Sequence, residues 1–424
     1  MPPIPEISEV LAGEPATLPA HVAAPIHRVR GTAFGIFSTI AIFLLIVALD
    51  GWLTRLPALN GTPARGEHIG VLHVHTNLSC GSGSLPQVIA AARDADLSFL
   101  AITDHNLAMS QAAVNAADPP DFAVIDGEEV STSTGHFLAL GVSDAWPRGS
   151  SYDARTLLDS ARRAGAVNFI AHPFGLREHW REWNSPDYEG MEIWNDDAVW
   201  RQNGPFAMLT SFLLYPINPR LALVRLARTP TENLAKWDEL QEQRHIAGIC
   251  GSDAHAAITV NNHTVARFPG YYSVFSLIRQ HILLNPATDP NHAGAADIVT
   301  ALKQGNAFCA VDALAPADGF AQEVKANSAS QHAAGPGDSI DYSLGSTLHV
   351  SVPVGSPPAI LRILRDGHEI AKIQTQMLDL PLPGPGHYRA EAYLRQPGLT
   401  GFGRWTLWIF ANPINVTAAK SPSE

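Results

Sequence analysis

Histidines and acidic residues recur along the chain, mostly where a short apolar run ends. The motifs are His73-Val74-His75, Thr103-Asp104-His105-Asn106, Gly127-Glu128-Glu129-Val130, Gly135-His136, Ala171-His172-Pro173 and Ser252-Asp253-Ala254-His255. The apolar runs read as buried parallel strands, and functional side chains of parallel-stranded barrels lie where the strands end. Imidazole and carboxylate groups together suit zinc, iron or manganese. The pattern therefore predicts a metal site at converging strand ends.

The pair His73 and His75 fits a strand in particular. Side chains alternate between the two faces of a strand, so residues two apart share one face. One extended segment can therefore supply two ligands to the same centre.

Size and charge narrow the classes of function. The chain has 424 residues, of which 46% are hydrophobic, which is enough for a large core and more than one folded unit. Its 28 basic and 40 acidic residues give a net charge of −12, which disfavours bulk nucleic-acid binding. The three widely spaced cysteines, Cys80, Cys250 and Cys309, predict no disulfide framework.

An uncharged apolar stretch runs from Thr32 to Leu49 and is long enough to cross a bilayer. Residues 32–52 are therefore predicted to be a transmembrane anchor in contact with lipid, with Trp52 at the interface. Basic residues crowd its N-terminal side: His27, Arg28 and Arg30. They predict a single-pass membrane protein with a cytoplasmic N-terminus and an extracytoplasmic catalytic domain. A cleaved signal peptide and a buried core helix are the alternatives.

The rest of the chain divides by composition. Residues 1–31 are predicted as a cytoplasmic tail and 53–67, rich in Pro and Gly, as a linker. From 68 to 318, apolar strand-like runs alternate with helical patterns, which is typical of an α/β unit with parallel strands. Residues 319–416 alternate like short strands and predict a small β-sandwich, with a tight turn at Arg365–His368. Residues 417–424 are a polar tail.

Taken together and in order, the motifs resemble those of the PHP family, the polymerase and histidinol phosphatase metallohydrolases, over roughly residues 69 to 315. The chain looks most like the bacterial members with a C-terminal β-domain, a group that includes carbaryl-hydrolase-like proteins. The resemblance implies an α/β fold with a distorted (β/α)7 barrel. It also implies two or three divalent metal ions, zinc, manganese or iron, at the barrel mouth.

The resemblance also assigns ligands. The first metal would be held by His73, His75, Glu129 and Asp253, the second by the bridging Glu129 with His136 and His172, and a third by His105 and His255. Glu128 should point to the opposite face of its strand from Glu129. Asp104 is expected to be a metal ligand or an acceptor that orients a histidine.

One position departs from the family pattern. Many relatives have Ser-Asp-Gly after the paired histidines, whereas this chain has Ser79-Cys80-Gly81. Two interpretations stay open at this point. Cys80 ligates a third metal as a thiolate, or it is a small buried residue and the third site is empty.

The resemblance implies a metal-dependent hydrolase in which a metal-bridging hydroxide attacks the substrate. Asp253 or His255 would accept the proton and pass it to the leaving group. Arg177 and Arg267 are candidates to bind an anionic group of a small-molecule ester, with a solvated surface position as the alternative. A phosphoesterase, either a phosphatase or a phosphodiesterase, is the favoured prediction. A carboxylic ester or carbamate hydrolase and a non-catalytic membrane-anchored binding protein are the alternatives.

Overall fold

The computed structural model describes residues 26–59, 63–64, 66–109, 113, 122–142, 146, 153–176, 178–260, 263–284, 293–327, 333–401 and 403–418, with the side chains of 26–33 and 259–265 left aside. The chain forms two compact units, Met1–Ile46 and Val47–Glu424. The predicted cytoplasmic tail and the polar C-terminal tail lie almost entirely outside the described residues.

A closed barrel forms the centre of the larger unit. Its strands are β1 Glu67–Val74, β2 Phe99–Ile102, β3 Ala123–Thr132, β4 Gly135–Leu140, β5 Val167–Ile170, β6 Gly190–Asn195 and β7 Ala247–Ala254. Neighbours in the chain are neighbours in the sheet, and β7 pairs back with β1 to close the barrel. All of these strands run parallel except β4, which is antiparallel to β3 and β5. The predicted distorted barrel is confirmed.

The strands are stable because side chains on both faces of the barrel sheet are buried. In β1, Leu72 faces the cluster shared by the barrel strands, whereas Val71 faces the cluster shared with the first barrel helix. Burial on both faces is why the parallel strands read as continuous apolar runs. The distortion arises at β3 and β4, which form a hairpin rather than a helical crossover. Gly135, at φ 121°, begins the return strand.

Helices surround the barrel: α2 Leu85–Asp94, α3 Ala154–Arg163, α4 Asp196–Arg201, α5 Pro205–Leu214, α6 Pro219–Leu226, α7 Thr231–Gln241, α8 Tyr271–Phe275 and α9 Ala295–Gln304. Polar side chains fix several of their starts. Asp153 accepts a hydrogen bond from the Thr156 amide at the start of α3, and Asn195 accepts one from the Ala198 amide at the start of α4. The cap at Asn195 matters for the site, because α4 begins directly where β6 ends.

The N-terminal helix, α1, spans Ile26–Leu53. Its segment Phe34–Leu53 is long and apolar enough to cross a membrane by length and composition. The end of the predicted anchor lies inside the larger unit, because Val47 and Asp50 are buried there. Asp50 forms an ion pair with Arg225, with 3.0 Å between Oδ2 and Nη2. A buried, paired acid cannot face lipid, so the last turns of α1 belong to the folded unit.

Most of the remaining strands extend the barrel sheet into a β-rich region. The remaining strands are β8 Ile258–Val260, β9 His263–Ala266, β10 Arg279–Leu283, β11 Ala307–Ala310, β12 Ala321–Lys325, β13 Ser339–Asp341, β14 Thr347–Ser351, β15 Ile360–Arg365, β16 His368–Gln374, β17 Met377–Pro381, β18 Gly386–Arg395, β19 Trp405–Ala411 and β20 Ile414–Thr417. Strands β12, β14 and β17 form a separate sheet, and β8 and β9 form a separate two-stranded hairpin.

Two features of this region bear on the predictions. Asp366 and Gly367 have φ of 50° and 74°, as a two-residue hairpin turn between β15 and β16 requires. Strand β19 pairs with β11, which itself joins β10 next to β1, so no free sheet edge separates the barrel from the β-domain. The boundary predicted at residues 318 and 319 stays a prediction.

The cysteine prediction needs correction. Cys250 in β7 and Cys309 in β11 form a disulfide, with Cα atoms 6.1 Å apart. The two residues are 59 positions apart in the chain, and only the fold brings their strands together. Cys80 is free.

Candidate metal centre

Glu129, near the end of β3, lies at the centre of a group of imidazoles. Its Oε1 is 2.7 Å from His136 Nδ1 and 2.9 Å from His172 Nε2. Its Oε2 is 3.2 Å from the Nε2 atoms of both His73 and His75 and 3.1 Å from His105 Nδ1. The two carboxylate oxygens therefore face different sets of histidines, which is the arrangement needed for a carboxylate that bridges two ions.

Asp253, at the end of β7, completes the group on the Oε2 side. Its Oδ1 is 3.4 Å from His73 Nε2 and 3.2 Å from His75 Nε2. Two sets of potential ligand atoms, each within 4.8 Å of one another, meet here: His73, His75 and Asp253, and His73, Glu129 and His172. Strands from opposite sides of the barrel thus supply one cluster at its mouth.

The backbone at several of these residues is unusual. His73, His172 and Asp253 have φ of 61°, 26° and 47°, in the left-handed region that non-glycine residues rarely adopt. His73 also lies where the pairing of β1 with both neighbouring strands shifts register. The simple alternation of a strand therefore does not hold at His73, although both histidines reach the site. Such conformations cost roughly 1–3 kcal/mol each and concentrate at functional sites.

Several polar atoms in the cluster are buried and lack a hydrogen-bond partner: His73 Nε2, both nitrogens of His75, His105 Nδ1 and Glu129 Oε2. A buried polar atom without a partner costs roughly 1–3 kcal/mol. These atoms face one another, and a divalent cation would satisfy them together. Imidazole and carboxylate donors in this number fit zinc, manganese or iron.

The electrostatics favour positive charge at the same place. Burial lowers the pKa of His73, but the carboxylates of Asp253, Glu192 and Glu129 outweigh it and hold that pKa well above its usual value. Burial raises the pKa of Glu129, but His73, His136 and His172 outweigh it and hold that pKa well below its usual value. A site that draws protons onto its histidines will also draw a cation.

Glu192, in β6, contacts two of the candidate ligands and was not singled out from the sequence. It is fully buried, and its Oε1 lies 2.8 Å from His73 Nδ1. Its Oε2 accepts hydrogen bonds from the His172 amide at 2.6 Å and from Asn195 Nδ2 at 2.9 Å. A proton on His73 Nδ1 donates to Glu192 and leaves Nε2 directed at Glu129, as in metal sites where a carboxylate fixes the tautomer of a ligand histidine.

In the sequence, Glu192 stands out only as a single acid inside the apolar strand Gly190–Asn195. Gly251 on the neighbouring strand makes room for it, since a Cβ there would lie 1.8 Å from Glu192 Oε1. A second missed acid, Glu178, is half-exposed and lies 3.2 Å from His136 Nδ1.

Two further acids of the sequence motifs, Glu128 and Asp104, make their hydrogen bonds outside the group around Glu129. Glu128 is buried on the other face of β3, where it accepts a hydrogen bond from Trp146 Nε1 at 2.9 Å. Asp104 is buried, but it lies outside the ligand groups of the described residues. Its oxygens accept hydrogen bonds from the amide and hydroxyl of Thr76 and from the hydroxyl of Ser79. Asp104 thus orients the loop after β1, and its predicted role as a metal ligand or as an acceptor for a histidine stays a prediction.

Cys80 lies in that loop, within a group formed with His75, His105 and His255. Burial raises the pKa of its thiol, but the neighbouring imidazoles of His105, His255 and His75 outweigh it and lower the pKa to about 3. His255 is partly buried, and its Nδ1 lies 2.8 Å from the Asp253 carbonyl oxygen. A proton on Nδ1 donates to that carbonyl and leaves Nε2 free.

The roles predicted for Arg177 and Arg267 in substrate binding stay predictions. Arg177 lies outside the described residues. Arg267 is exposed after β9, and no ion pair described for the chain joins it to the cluster. Arg201, at the end of α4, forms an ion pair with Asp197 and interacts electrostatically with the site: burial lowers its pKa, but Asp197, Asp253 and Glu178 raise it.

No protein-family model matches the chain, and no curated protein matches it. Solved structures do. A two-domain protein from Bacteroides vulgatus, containing a predicted PHP-like metal-dependent phosphoesterase, is 14% identical and aligns with 84% of this chain and 99% of its own at a TM-score of 0.39. A protein from Bifidobacterium adolescentis, described as a metal-dependent phosphoesterase, is 15% identical over 48% of this chain and 92% of its own, with a TM-score of 0.31.

An amidohydrolase from Chromobacterium violaceum, solved with sulfate and no metal, is 14% identical over 44% of this chain and 87% of its own, with a TM-score of 0.31. At such identities and scores, these likenesses carry no conclusion about substrate or reaction.

Proposed function

We propose that the chain is a metal-dependent hydrolase of the PHP type that acts on phosphoesters. One observation carries the proposal: Glu129 presents its two oxygens to two different sets of imidazoles, with Asp253 beside His73 and His75. A purely structural acid would not be surrounded by histidine nitrogens that lack other partners. The six motifs that resemble the PHP family supply all of these residues.

The residues divide into two sets. His73, His75, Asp253 and Glu129 Oε2 would hold one ion, and His136, His172 and Glu129 Oε1 would hold the other. Divalent ions bound here would supply Lewis acidity and activate water as the nucleophile. The protein fixes where substrate oxygens can bind, since the ligands come from strands on different sides of the barrel mouth.

Proton transfer falls to Asp253, which is also one of the proposed ligands. Asp253 turns Oδ1 towards His73 and His75, and its second oxygen is available to take a proton from the attacking water. The same oxygen can then give that proton to a leaving group that binds beside it. Arg201 supplies positive charge near the acids of the site and could pair with a phosphate oxygen.

We also propose that α1 anchors the protein in a membrane as a single span with a cytoplasmic N-terminus. Residues Phe34, Phe37 and Leu45 are exposed on the part of α1 before Asp50 that carries no charged side chain, which would be costly in water. Resistance of the full chain to alkaline extraction from membranes, with the barrel accessible to protease only from the outside, would agree with the proposal. Release into the soluble fraction, or protection of the barrel, would contradict it.

The catalytic proposal is tested by hydrolysis assays. The full chain in mild detergent, loaded with manganese or zinc, is offered an aryl phosphate, a bis-aryl phosphate, an aryl carbamate and an aryl carboxylic ester. His73→Ala should abolish turnover, whereas His349→Ala, at a histidine paired with Asp379 in the β-domain, should not. Metal-dependent turnover confined to the carbamate or ester would overturn the phosphoester assignment. If the protein is stable without metal and hydrolyses none of the substrates, the alternative of a non-catalytic binding protein would be favoured over a hydrolase.

A further inference from the structure

The loop between β1 and α2 brings a cysteine to the edge of the histidine cluster. Cys80 Sγ lies with one ligand nitrogen each of His75, His105 and His255, all within 4.8 Å of one another. The imidazole rings crowd together, with 4.3 Å between the centroids of His75 and His255 and 4.6 Å between those of His75 and His105. A small apolar filler would lie among apolar side chains, whereas this thiol lies among imidazoles.

A buried nitrogen without a hydrogen-bond partner borders this group. His75 turns Nε2 towards Glu129 and Asp253, and its Nδ1, on the other side of the ring, is buried without a partner. His75 is completely buried, so water cannot satisfy this nitrogen. This atom is the independent sign that the group receives a ligand.

The histidines can be allocated by their nearest acids. His75 Nε2 is 3.2 Å from both Glu129 and Asp253, which assigns it to the two-ion centre. His255 uses Nδ1 on the Asp253 carbonyl and keeps Nε2 for a ligand. His105, in the turn after β2, borders both centres, since its Nδ1 lies 3.1 Å from Glu129 Oε2. Cys80 and His255 are then left to a separate group, and His105 can contribute to either group.

The loop holds Cys80 in place from outside the cluster. Asp104 binds Thr76 and Ser79 on one side of it. On the other, Gly81 packs so tightly that a Cβ would lie 2.3 Å from the His75 carbonyl oxygen. The thiol position is therefore set before any ligand binds, which lowers the entropy cost of binding.

We propose that Cys80, His105 and His255 form a third metal centre in which a thiolate binds zinc. The inference rests on the proposed function, because the third centre borders the two-ion centre. Thiolate and imidazole donors favour zinc over manganese or magnesium, which prefer oxygen. Three protein donors leave one position of a tetrahedral site open, as in catalytic zinc sites, so the third ion can take a substrate oxygen. The missing carboxylate of the family pattern is thus replaced rather than lost.

The test reads the metal–sulfur bond directly. The full chain in mild detergent is stripped of metal and reloaded with cobalt or with zinc. We expect a near-ultraviolet thiolate-to-cobalt charge-transfer band, and a sulfur scatterer at about 2.3 Å in zinc X-ray absorption, distinct from nitrogen and oxygen at about 2.0–2.2 Å. Cys80→Ser should remove both signals and lower the bound metal by one equivalent. The double variant Cys250→Ser with Cys309→Ser should keep both signals.

Each outcome has a distinct meaning. Cys80→Asp should restore the third equivalent without the sulfur signals, which separates loss of a ligand from misfolding. Wild-type protein that binds two equivalents of metal without sulfur would overturn the third centre and leave the two-ion proposal standing. A sulfur signal that persists in Cys80→Ser would also overturn it. Protein that binds no metal at all would overturn both proposals.

Discussion

Glu192 offers the sharpest test of how the centre is built, because it binds no ion itself. Glu192→Gln keeps the shape of the side chain but replaces one oxygen by an amide group. Glu192 accepts hydrogen bonds from the His172 amide and from Asn195, and its Oε1 lies 2.8 Å from His73 Nδ1. The amide group cannot accept, so one bond to the carboxylate is lost, worth about 1.5–3 kcal/mol. Metal affinity should therefore fall by roughly 10- to 100-fold, the usual effect of losing such a partner.

The charge of Glu192 affects both proton binding and metal binding at His73. The Glu192 carboxylate raises the pKa of His73. Its removal therefore weakens the binding of the competing proton to His73 as well as the binding of the metal. A divalent ion carries twice the charge of a proton and interacts with the same carboxylate about twice as strongly. Loss of metal affinity should therefore dominate, and the loss should shrink at low pH, where protons already compete in the wild type.

The assay is calorimetric titration of zinc into metal-free protein. The matched control is Glu189→Gln, just before β6, where the carboxylate accepts from the Asn168 amide and touches no ligand. Gly251→Ala should reproduce the effect, because its Cβ would push Glu192 away from His73. Wild-type affinity in Glu192→Gln, or an equal loss in Glu189→Gln, would refute the reasoning.

Two further predictions concern stability. Burial lowers the pKa of His281, but Asp312 and Glu67 raise it to about 9, so its contribution is complete below the unfolded value and lost as pH rises through about 9. His281→Gln should therefore cost up to about 3 kcal/mol near neutral pH and much less near pH 10, measured by urea unfolding; a pH-independent cost would contradict this. Asp50→Ala should destabilise the larger unit by about 3–5 kcal/mol because it leaves Arg225 buried and unpaired. Adding Arg225→Met should recover part of that loss, and a strictly additive double variant would contradict the pairing.

The sequence predicts the barrel and most of the metal cluster for the same reason. A strand buried on both faces leaves a continuous apolar run, and a ligand at its end interrupts that run with a histidine or an acid. His73, Glu129 and Asp253 are visible in this way. A charged residue that stands alone in such a run carries no spacing signal, which is why Glu192 was missed.

Other features depend on contacts that no local pattern encodes. The disulfide joins cysteines 59 positions apart, and only the pairing of β11 with β10 and β19 brings Cys309 near β7. Asp104 follows a buried strand just as the ligands do, and its motif alone cannot reveal that Thr76 and Ser79 occupy its oxygens. The predicted anchor is similar: composition marks an apolar helix, whereas the burial of Asp50 against Arg225 shows where that helix joins the folded unit.

Glu192 links the two sets of ligands that the proposed function requires. It holds the imidazole of His73, which belongs to one set, and the amide of His172, which belongs to the other. Both residues have left-handed backbone conformations, which persist only where the surroundings fix them. One buried acid therefore positions a side chain on β1 and a backbone just after β5. Calorimetry of Glu192→Gln should consequently show weaker binding of both ions rather than one, and selective loss of a single ion would mean that each set is fixed independently.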